Sequence, residues 1–130
     1  VGDEFTLDVG VNTDVITGFD KPKAIENAIR TMSPQVIVCD EISAPRELDS
    51  IRFGFACGVN YLLSVHIGKQ QDLYTKPIVR LMLSMGEFEK LILLDEDYSA
   101  KILDAREILN EIHRRSNNSC VIIDDGNIYE

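Results

Sequence analysis

The chain has 130 residues, the length of one domain, and its 45% hydrophobic and 27% charged residues are those of an ordinary globular protein. Thirteen basic and 22 acidic side chains give a net charge of −9, which argues against nucleic acid or an anionic membrane as the main partner because both attract clustered Lys and Arg. No apolar run approaches the roughly 20 residues of a membrane-spanning helix, and the widely spaced Cys39, Cys57 and Cys120 indicate buried thiols in a reducing compartment.

Strand-like and helical patterns alternate along the chain, which predicts a single α/β domain with a mainly parallel sheet of about five strands. The first half contains the end of a strand at 1–4, a loop at 12–18, a helix from Asp20 to Met32, a strand at 35–40, a helix from about Ser43 to Gly58 and a strand at 60–66. The second half contains a helix at 77–85, a strand at 91–94, a long helix from about Ser99 to Arg115, a strand at 120–123 and a turn at 124–127. The helix limits follow from prolines in first turns and from glycine or Ser-Pro after last turns.

Polar side chains follow three of the predicted strands. They are Asp3-Glu4, Asp40-Glu41 and Ser64-Val65-His66. Ligands of open parallel sheets bind outside the carboxyl ends of the strands, so these groups are expected to converge. In phosphoryl-transfer sites of the P-loop type, an Asp after an apolar strand holds Mg²⁺ and a following Glu orients the attacking water. The run from Val36 to Glu41, Val-Ile-Val-Cys-Asp-Glu, fits this Walker B pattern.

The Walker B pattern alone does not establish a site. Four apolar residues followed by Asp-Glu occur in many proteins, where the acids only keep the mouth of a buried strand soluble. A single histidine such as His66 at a strand end is more often a solvated or hydrogen-bonded residue. The Gly-x-x-x-x-Gly-Lys-Ser/Thr loop that would hold the phosphates does not occur in these 130 residues.

Several segments taken together resemble the stage III sporulation protein AA family, P-loop ATPases related to secretion ATPases. The family's Ile-Arg-Ser-Met-Ser-Pro is matched by residues 29–34, and its Asp-Glu-Ile by residues 40–42. Its Ala-Gly appears as Cys57-Gly58, its Thr-Val-His as residues 64–66, and its Gly-Asp-Glu as residues 2–4. The resemblance runs from Val1 to about Asp95. It implies the part of the ATPase domain that follows the Walker A loop, a three-layer, partial RecA-like core.

The resemblance also implies roles for individual residues. Asp40 would be the metal carboxylate, Glu41 the group that orients water, and His66 a sensor of the γ-phosphate or of conformation. Asp3 would contribute to cofactor binding and Glu4 to catalysis. Both acids would lie next to the metal ligand without binding the metal directly.

Three features limit what the resemblance carries over. Arg30 would contribute to cofactor binding, or it would instead pair with a carboxylate or pack beside the strand. The family usually has an Arg after the first Asp-Glu, whereas Phe5 stands here, so no such role is carried over. The quoted motifs leave residues 98–130 as an extension.

For the complete protein, the resemblance implies a cytoplasmic, ring-forming ATPase, hexameric, that uses ATP and Mg²⁺ to energise a trans-envelope sporulation channel. Its partners would be membrane proteins of that channel, with no direct contact with nucleic acid and no insertion into the membrane. The chain begins at Val1 rather than Met, which suggests a fragment, and without the phosphate-binding loop it is expected to bind no nucleotide and to be inactive alone. The alternative is a non-catalytic interaction domain that retains a degenerate NTPase fold.

Overall fold

The computed structural model describes residues 8–117, 122–124 and 127–129 of the chain. The elements, in chain order, are α1 (Lys21–Met32), β1 (Val36–Cys39), α2 (Pro45–Ala56), β2 (Asn60–Leu63), α3 (Asp72–Thr75), α4 (Pro77–Ser84), β3 (Lys90–Leu94), β4 (Ala100–Asp104), α5 (Ala105–Asn117), β5 (Ile122–Asp124) and β6 (Asn127–Tyr129). The strands form three two-stranded sheets, of which β1–β2 is parallel and β3–β4 and β5–β6 are antiparallel. The predicted α/β class is confirmed, but the prediction of a mainly parallel sheet holds only for β1–β2.

Helix α1 begins and ends where the local sequence predicts. Asp20 precedes it with an extended backbone, and Pro22 stands in the first turn, where a missing N–H costs nothing. The Asp20 side chain makes no capping hydrogen bond and instead accepts one from Arg46 at 3.0 Å. Ser33 adopts the left-handed conformation (φ 47°) and Pro34 follows, so the helix cannot continue.

Helix α2 starts at Pro45, and Glu47 closes its first turn. Oε2 of Glu47 accepts hydrogen bonds from the backbone N–H groups of Ser43 and Ala44, both at 2.8 Å. These donors would otherwise lack partners, as at any helix N-terminus. Gly58, just beyond the helix, has a φ of +80°, the conformation expected of a terminating glycine.

The long helix predicted from Ser99 is wrong in its first part, because residues 100–104 form β4. The chain reverses after β3, where the N–H of Asp95 donates to the carbonyl of Ser99 at 3.0 Å. This reversal places Ala100 opposite Leu94 in an antiparallel ladder. The apolar spacing within residues 99–115 carries no information about pairing with β3. In the folded chain the hydrogen bonds of that pairing outweigh the helical preference of residues 100–104.

Helix α5 therefore begins at Ala105, and Asp104 caps it. Oδ1 of Asp104 accepts the backbone N–H of Arg106 at 3.0 Å and that of Glu107 at 3.3 Å. From Ala105 onward the predicted apolar stripe is correct and faces the core. Ile102, which would have begun the stripe, lies on β4 and is 70% exposed.

One hydrophobic core joins the helices to the inner faces of β1–β2 and β3–β4. Its buried residues come mainly from α1, α2, α4 and α5, and are Ile25, Ile29, Ile42, Leu48, Ile51, Val59, Leu73, Ile78, Val79, Met82, Leu83, Ala105, Ile108 and Ile112. Half-buried strand residues such as Ile37, Leu63 and Leu91 pack against this cluster. The core thus lies between the helices and one face of each sheet.

The opposite faces of these two sheets are apolar and exposed. In β1–β2, Val36, Val38 and Leu62 are 55%, 70% and 58% exposed. In β3–β4, Ile92 and Leu94 are 59% and 74% exposed. The three-layer arrangement that the resemblance implies is therefore reduced, across the described residues, to helices on one face of β1–β2 and of β3–β4.

Some predictions concern residues that the structure does not describe. The strand end at 1–4, with Asp3 and Glu4, lies outside the described residues, as does Cys120. Of the other two cysteines, Cys39 is half-buried and Cys57 is exposed, so the prediction of a buried thiol is wrong for Cys57. Its position after the last turn of α2 places it at the surface.

Candidate functional site

The parallel pairing of β1 with β2 brings two of the predicted polar segments together. Cys39 pairs with Leu63, so the residues that follow the two strands are neighbours. The backbone continues the ladder past the strands: Ser64 N–H donates to the carbonyl of Cys39 at 3.1 Å, and Ile42 N–H donates to the carbonyl of Ser64 at 2.8 Å. The carboxyl ends of the two strands form one edge, as in ligand sites of parallel sheets.

An open cavity of about 370 Å³ lies at this edge. It is lined by Asp40, Glu41, Ser64, Val65 and His66. The side chains of this group are exposed except for Val65, which is half-buried. The expected convergence of Asp40-Glu41 with the segment after β2 is therefore confirmed. The cavity is polar and comparable in size to the smaller ligand pockets of proteins.

Ser64 connects the two sides of the cavity. Its hydroxyl donates to Oδ1 of Asp40 at 2.5 Å and accepts the backbone N–H of Glu41 at 2.8 Å. A short bond from a hydroxyl to a carboxylate is of the charge-assisted kind and holds the acceptor firmly. Asp40 is thus held in one orientation by a residue from the neighbouring strand.

Glu41 has an unusual backbone. Its φ is +53°, in the left-handed region that residues other than glycine enter at a cost of about 1–2 kcal/mol. Such conformations persist when surrounding contacts hold them, and they concentrate at functional sites. The left-handed residue ends the strand and turns the chain sharply at the mouth of the cavity.

Lys21, the first residue of α1, lies beneath this turn. Its Nζ donates to the carbonyl of Asp40 at 2.7 Å and to the carbonyl of Glu41 at 2.9 Å. It also forms a salt bridge with Oε1 of Glu47 at 3.3 Å. The turn that carries the two acids is therefore attached to α1 and, through Glu47, to α2.

Glu47 is a buried carboxylate, 6% exposed. Burial acts to raise its pKa, but the N–H groups of Ala44 and Ser43 and the ammonium of Lys21 outweigh that effect and hold the pKa below its usual value. Glu47 therefore stays ionised at neutral pH. It contributes to support of the site and does not line the cavity.

His66 and Arg30 have different relations to the cavity. His66 lines it, and its backbone carbonyl accepts a hydrogen bond from Lys76 Nζ. Arg30 lies on α1 with its guanidinium carbon 5.2 Å from the ring centroid of Phe53, and it is not among the lining residues. Its contact is a cation–π interaction on the helix surface.

The donor set at the cavity fits a magnesium ion that takes its remaining ligands from a substrate. Within residues 8–117, 122–124 and 127–129, no group of three or more His, Cys, Asp or Glu side chains is arranged to hold a metal. Mg²⁺ in phosphoryl-transfer sites usually takes one or two protein carboxylates plus waters and phosphate oxygens. The exposed carboxylate of Asp40, beside the Ser64 hydroxyl, meets that requirement.

The sequence alone assigns no individual role to three residues of this site. Ser64 belongs to the predicted polar segment that contains His66, but its bond to Asp40 depends on the β1–β2 register. The sequence patterns place Glu47 in the first turn of a helix and single out no feature of Lys21. A buried acid in the first turn of α2 is a sequence signal for capping, whereas its pairing with Lys21, 26 positions earlier in the chain, carries no local signal.

None of the described helices combines the length and apolar character required to traverse a bilayer. No solved structure shows a significant match to the chain. The chain is similar to the stage III sporulation protein AA of Bacillus subtilis (strain 168), with 27% identity over 83 residues. That alignment covers 64% of this chain and 27% of the relative, so the matched part spans about a quarter of the relative's length.

The family model described as sporulation stage III, protein AA matches residues 5–114. The match includes all residues that line the cavity, and it extends beyond Asp95, where the predicted resemblance to the family ends. It reaches into α5, so most of that helix belongs to the matched region. The chain belongs to the sporulation stage III protein AA family.

Proposed function

We propose that the chain supplies the metal-binding and water-orienting acids of an ATP-hydrolysing site in a sporulation-associated ATPase with a RecA-like core. The observation that carries the proposal is the placement of Asp40 and Glu41 beside Ser64 and His66, at adjacent carboxyl ends of parallel strands. Acids in this position are those that P-loop enzymes use for Mg²⁺ and for the attacking water.

The polar residues that line the cavity have distinct tasks in this proposal. Asp40, oriented by the Ser64 hydroxyl, holds the metal, directly or through water. Bound Mg²⁺ would neutralise charge on the phosphate oxygens. Glu41 orients the attacking water, and His66 senses the γ-phosphate from the end of β2. The left-handed backbone of Glu41 turns the chain directly after Asp40, so the two acids need not share one task.

Other residues complete the proposal or fall outside it. We assign Asp3 to cofactor binding and Glu4 to catalysis, on the family resemblance alone. The contact of Arg30 with Phe53 favours packing, so no nucleotide contact is proposed for Arg30. The phosphate-binding loop with its Lys would come from another part of the complete protein, since the 130 residues do not contain it.

At the level of the assembly, we propose a hexameric ring on the cytoplasmic side of the membrane. Its ATP hydrolysis would energise a trans-envelope sporulation channel through that channel's membrane proteins. The net charge of −9 supports protein partners over nucleic acid.

Three substitutions in the complete protein test the catalytic assignment. Asp40→Asn should weaken Mg²⁺-dependent nucleotide binding as well as turnover. Glu41→Gln should keep ATP bound but slow hydrolysis by roughly 10²-fold or more, the scale of a lost acid–base or positioning group. His66→Ala should leave binding nearly intact and reduce turnover. Nucleotide affinity and steady-state turnover distinguish these outcomes.

Asp49→Asn is the matched control for this series. Asp49 is an exposed aspartate on α2 that does not line the cavity, so its substitution should change neither binding nor turnover. Wild-type turnover in Glu41→Gln would end the assignment. If all three site variants behaved like Asp49→Asn, the acids would serve only solubility.

A non-catalytic interaction domain is the second candidate, and the exposed apolar faces of β1–β2 and β3–β4 favour it. Val38 and Leu94 are 70% and 74% exposed, and exposed apolar patches of this kind mark sites of protein–protein contact. The two candidates differ in the phosphate-binding loop. A Gly-x-x-x-x-Gly-Lys-Ser/Thr sequence preceding Val1 in the complete protein, together with Mg²⁺-dependent ATP turnover, supports the enzyme; absence of both supports the interaction domain.

A further inference from the structure

We propose that Lys21 and Glu47 are positioning residues that hold the backbone of Asp40 and Glu41 in the conformation required for catalysis. We call this pair the Lys21–Glu47 clamp. The proposal rests on the proposed function, because it assigns the clamp to the same site. It adds two residues that do not line the cavity and that act only through the turn above them.

Lys21 uses its bonding capacity on this turn and on Glu47. An ammonium group has three N–H donors. Nζ of Lys21 lies 2.7 Å from the carbonyl oxygen of Asp40, 2.9 Å from that of Glu41, and 3.3 Å from Oε1 of Glu47. Two of its three partners are therefore consecutive carbonyls of the turn that carries both proposed catalytic acids.

Glu47 fixes Lys21 in place. It is buried, and its second carboxylate oxygen accepts the N–H groups of Ser43 and Ala44, so the carboxylate cannot swing away without leaving these donors unpaired. Its negative charge also offsets the positive charge of Lys21. The clamp therefore acts on the geometry of the turn more than on the charge of Asp40.

The backbone of Glu41 is held from two sides. Its carbonyl is bound by Lys21, and its N–H donates to the hydroxyl of Ser64 at 2.8 Å. Both bonds support a left-handed residue that is not glycine, a conformation that persists only under such support. Without the ammonium, the turn would be free to leave the left-handed region, and the carboxylate of Glu41 would move away from its position at the cavity.

Kinetics of the complete protein test the clamp. Lys21→Met keeps an unbranched aliphatic chain but removes the donors, and should lower kcat by about 10–100-fold, the scale seen when an outer partner of a metal ligand is lost. KM for ATP should change little, because the phosphate-binding loop remains. Lys21→Arg retains donors and should restore most of kcat. Lys23→Met is the control, since Lys23 lies exposed on the same helix and its side chain forms no hydrogen bond or salt bridge with the described residues.

Hydrogen exchange of the 130-residue chain gives a second readout that does not require activity. In Lys21→Met the amides of Glu41 and Ile42, both bonded to Ser64, should exchange about tenfold faster, as expected when one or two supporting hydrogen bonds are lost. Amides in the middle of α2 should be unchanged. If Lys21→Met does not fold, Glu47→Gln, which keeps the shape of the side chain, is measured by the same criteria.

The outcomes separate the clamp from the proposed function. Wild-type turnover with an unchanged kcat in Lys21→Met overturns the clamp alone. Absence of Mg²⁺-dependent turnover in the wild-type protein overturns the proposed function, and the positioning role with it. Faster exchange spread evenly over all helices in Lys21→Met would show a general loss of stability and would also overturn the clamp.

Discussion

The hydroxyl of Ser64 donates to Oδ1 of Asp40 at 2.5 Å, which joins the ends of two parallel strands through their side chains. The hydroxyl oxygen of Ser64 also accepts the backbone N–H of Glu41 at 2.8 Å. One small residue on β2's extension thus orients both acids that follow β1. Serine suits the position because its hydroxyl can donate and accept at once.

Ser64→Ala removes both of these bonds and should lower Mg²⁺-dependent turnover of the complete protein by about tenfold or more. Ser64→Thr keeps the hydroxyl and should retain most activity. Ser84→Ala serves as the control, because the Ser84 hydroxyl donates only to the carbonyl of Leu81 within its own helix. Steady-state kinetics of the three variants measure the effect. Equal turnover in Ser64→Ala and the wild type would mean that the bond to Asp40 is not needed.

Glu41→Gly should stabilise the chain while abolishing turnover. Glycine occupies the left-handed region without the steric cost that Glu41 bears at φ +53°, although a more flexible unfolded chain offsets part of the gain. We expect the free energy of unfolding to rise by up to about 1 kcal/mol, measured by urea denaturation.

Ser33→Gly is the matched control for the Glu41 substitution. Ser33 also has a left-handed backbone, at φ +47°, but it lies after α1 and away from the cavity. It should give a similar gain in stability with turnover unchanged. A loss of stability in Glu41→Gly would contradict the assignment of strain to this residue.

Tyr61→Phe should stabilise the fold. The Tyr61 hydroxyl is buried and has no hydrogen-bond partner among the described residues. It packs against Gly54 so closely that a Cβ atom added to Gly54 would lie only 1.8 Å from it. Burial, with smaller contributions from Cys39 and Cys57, raises the pKa of Tyr61 to about 12. Removing an unpaired buried hydroxyl should raise the free energy of unfolding by about 1 kcal/mol. Tyr98→Phe, at a residue 97% exposed, should change it by nearly zero.

Glu47 should make the stability of the chain fall in acid. Its pKa is lowered in the folded chain from an ordinary value of 4.5, so the unfolded chain binds its proton first as pH falls. The stabilisation by this carboxylate is therefore fully present above about pH 4.5 and is lost as pH falls through the lower folded pKa. Urea denaturation at several pH values should show a shallower acid slope for Glu47→Gln than for the wild type. Glu87→Gln, which replaces an exposed glutamate, should have the same acid slope as the wild type.

The exposed apolar faces should cause the 130-residue chain to self-associate. Val38 and Leu62 lie on the open face of β1–β2, at 70% and 58% exposure. Added salt should strengthen the association, because it screens repulsion between chains of net charge −9. Light scattering over a wide range of concentrations measures it. The double substitution Val38→Thr with Leu62→Gln should weaken it more than Val11→Thr in the loop before α1, and a clean monomer throughout would contradict the prediction.

Local chemistry in the sequence was sufficient for much of the helical framework and for the first half of the site. Proline fits the first turn of a helix but not its middle, and glycine readily adopts a left-handed backbone, so Pro22, Pro45 and Gly58 mark helix limits by themselves. The apolar run Val36–Cys39 followed by Asp40 and Glu41 likewise predicts a strand with acids at its carboxyl end. These features depend on residues within a few positions of each other.

Contacts between distant segments decided the rest. Ala100–Asp104 became a strand because pairing with Lys90–Leu94 satisfies its backbone, a gain that helical periodicity cannot express. The cavity exists because the register of β1 with β2 places Ser64 beside Asp40. The support beneath it exists because α1 and α2 bring Lys21 to Glu47. Hydrogen bonds of this kind require both partners to be placed to within a fraction of an ångström, and only the packed core of the folded chain places them so.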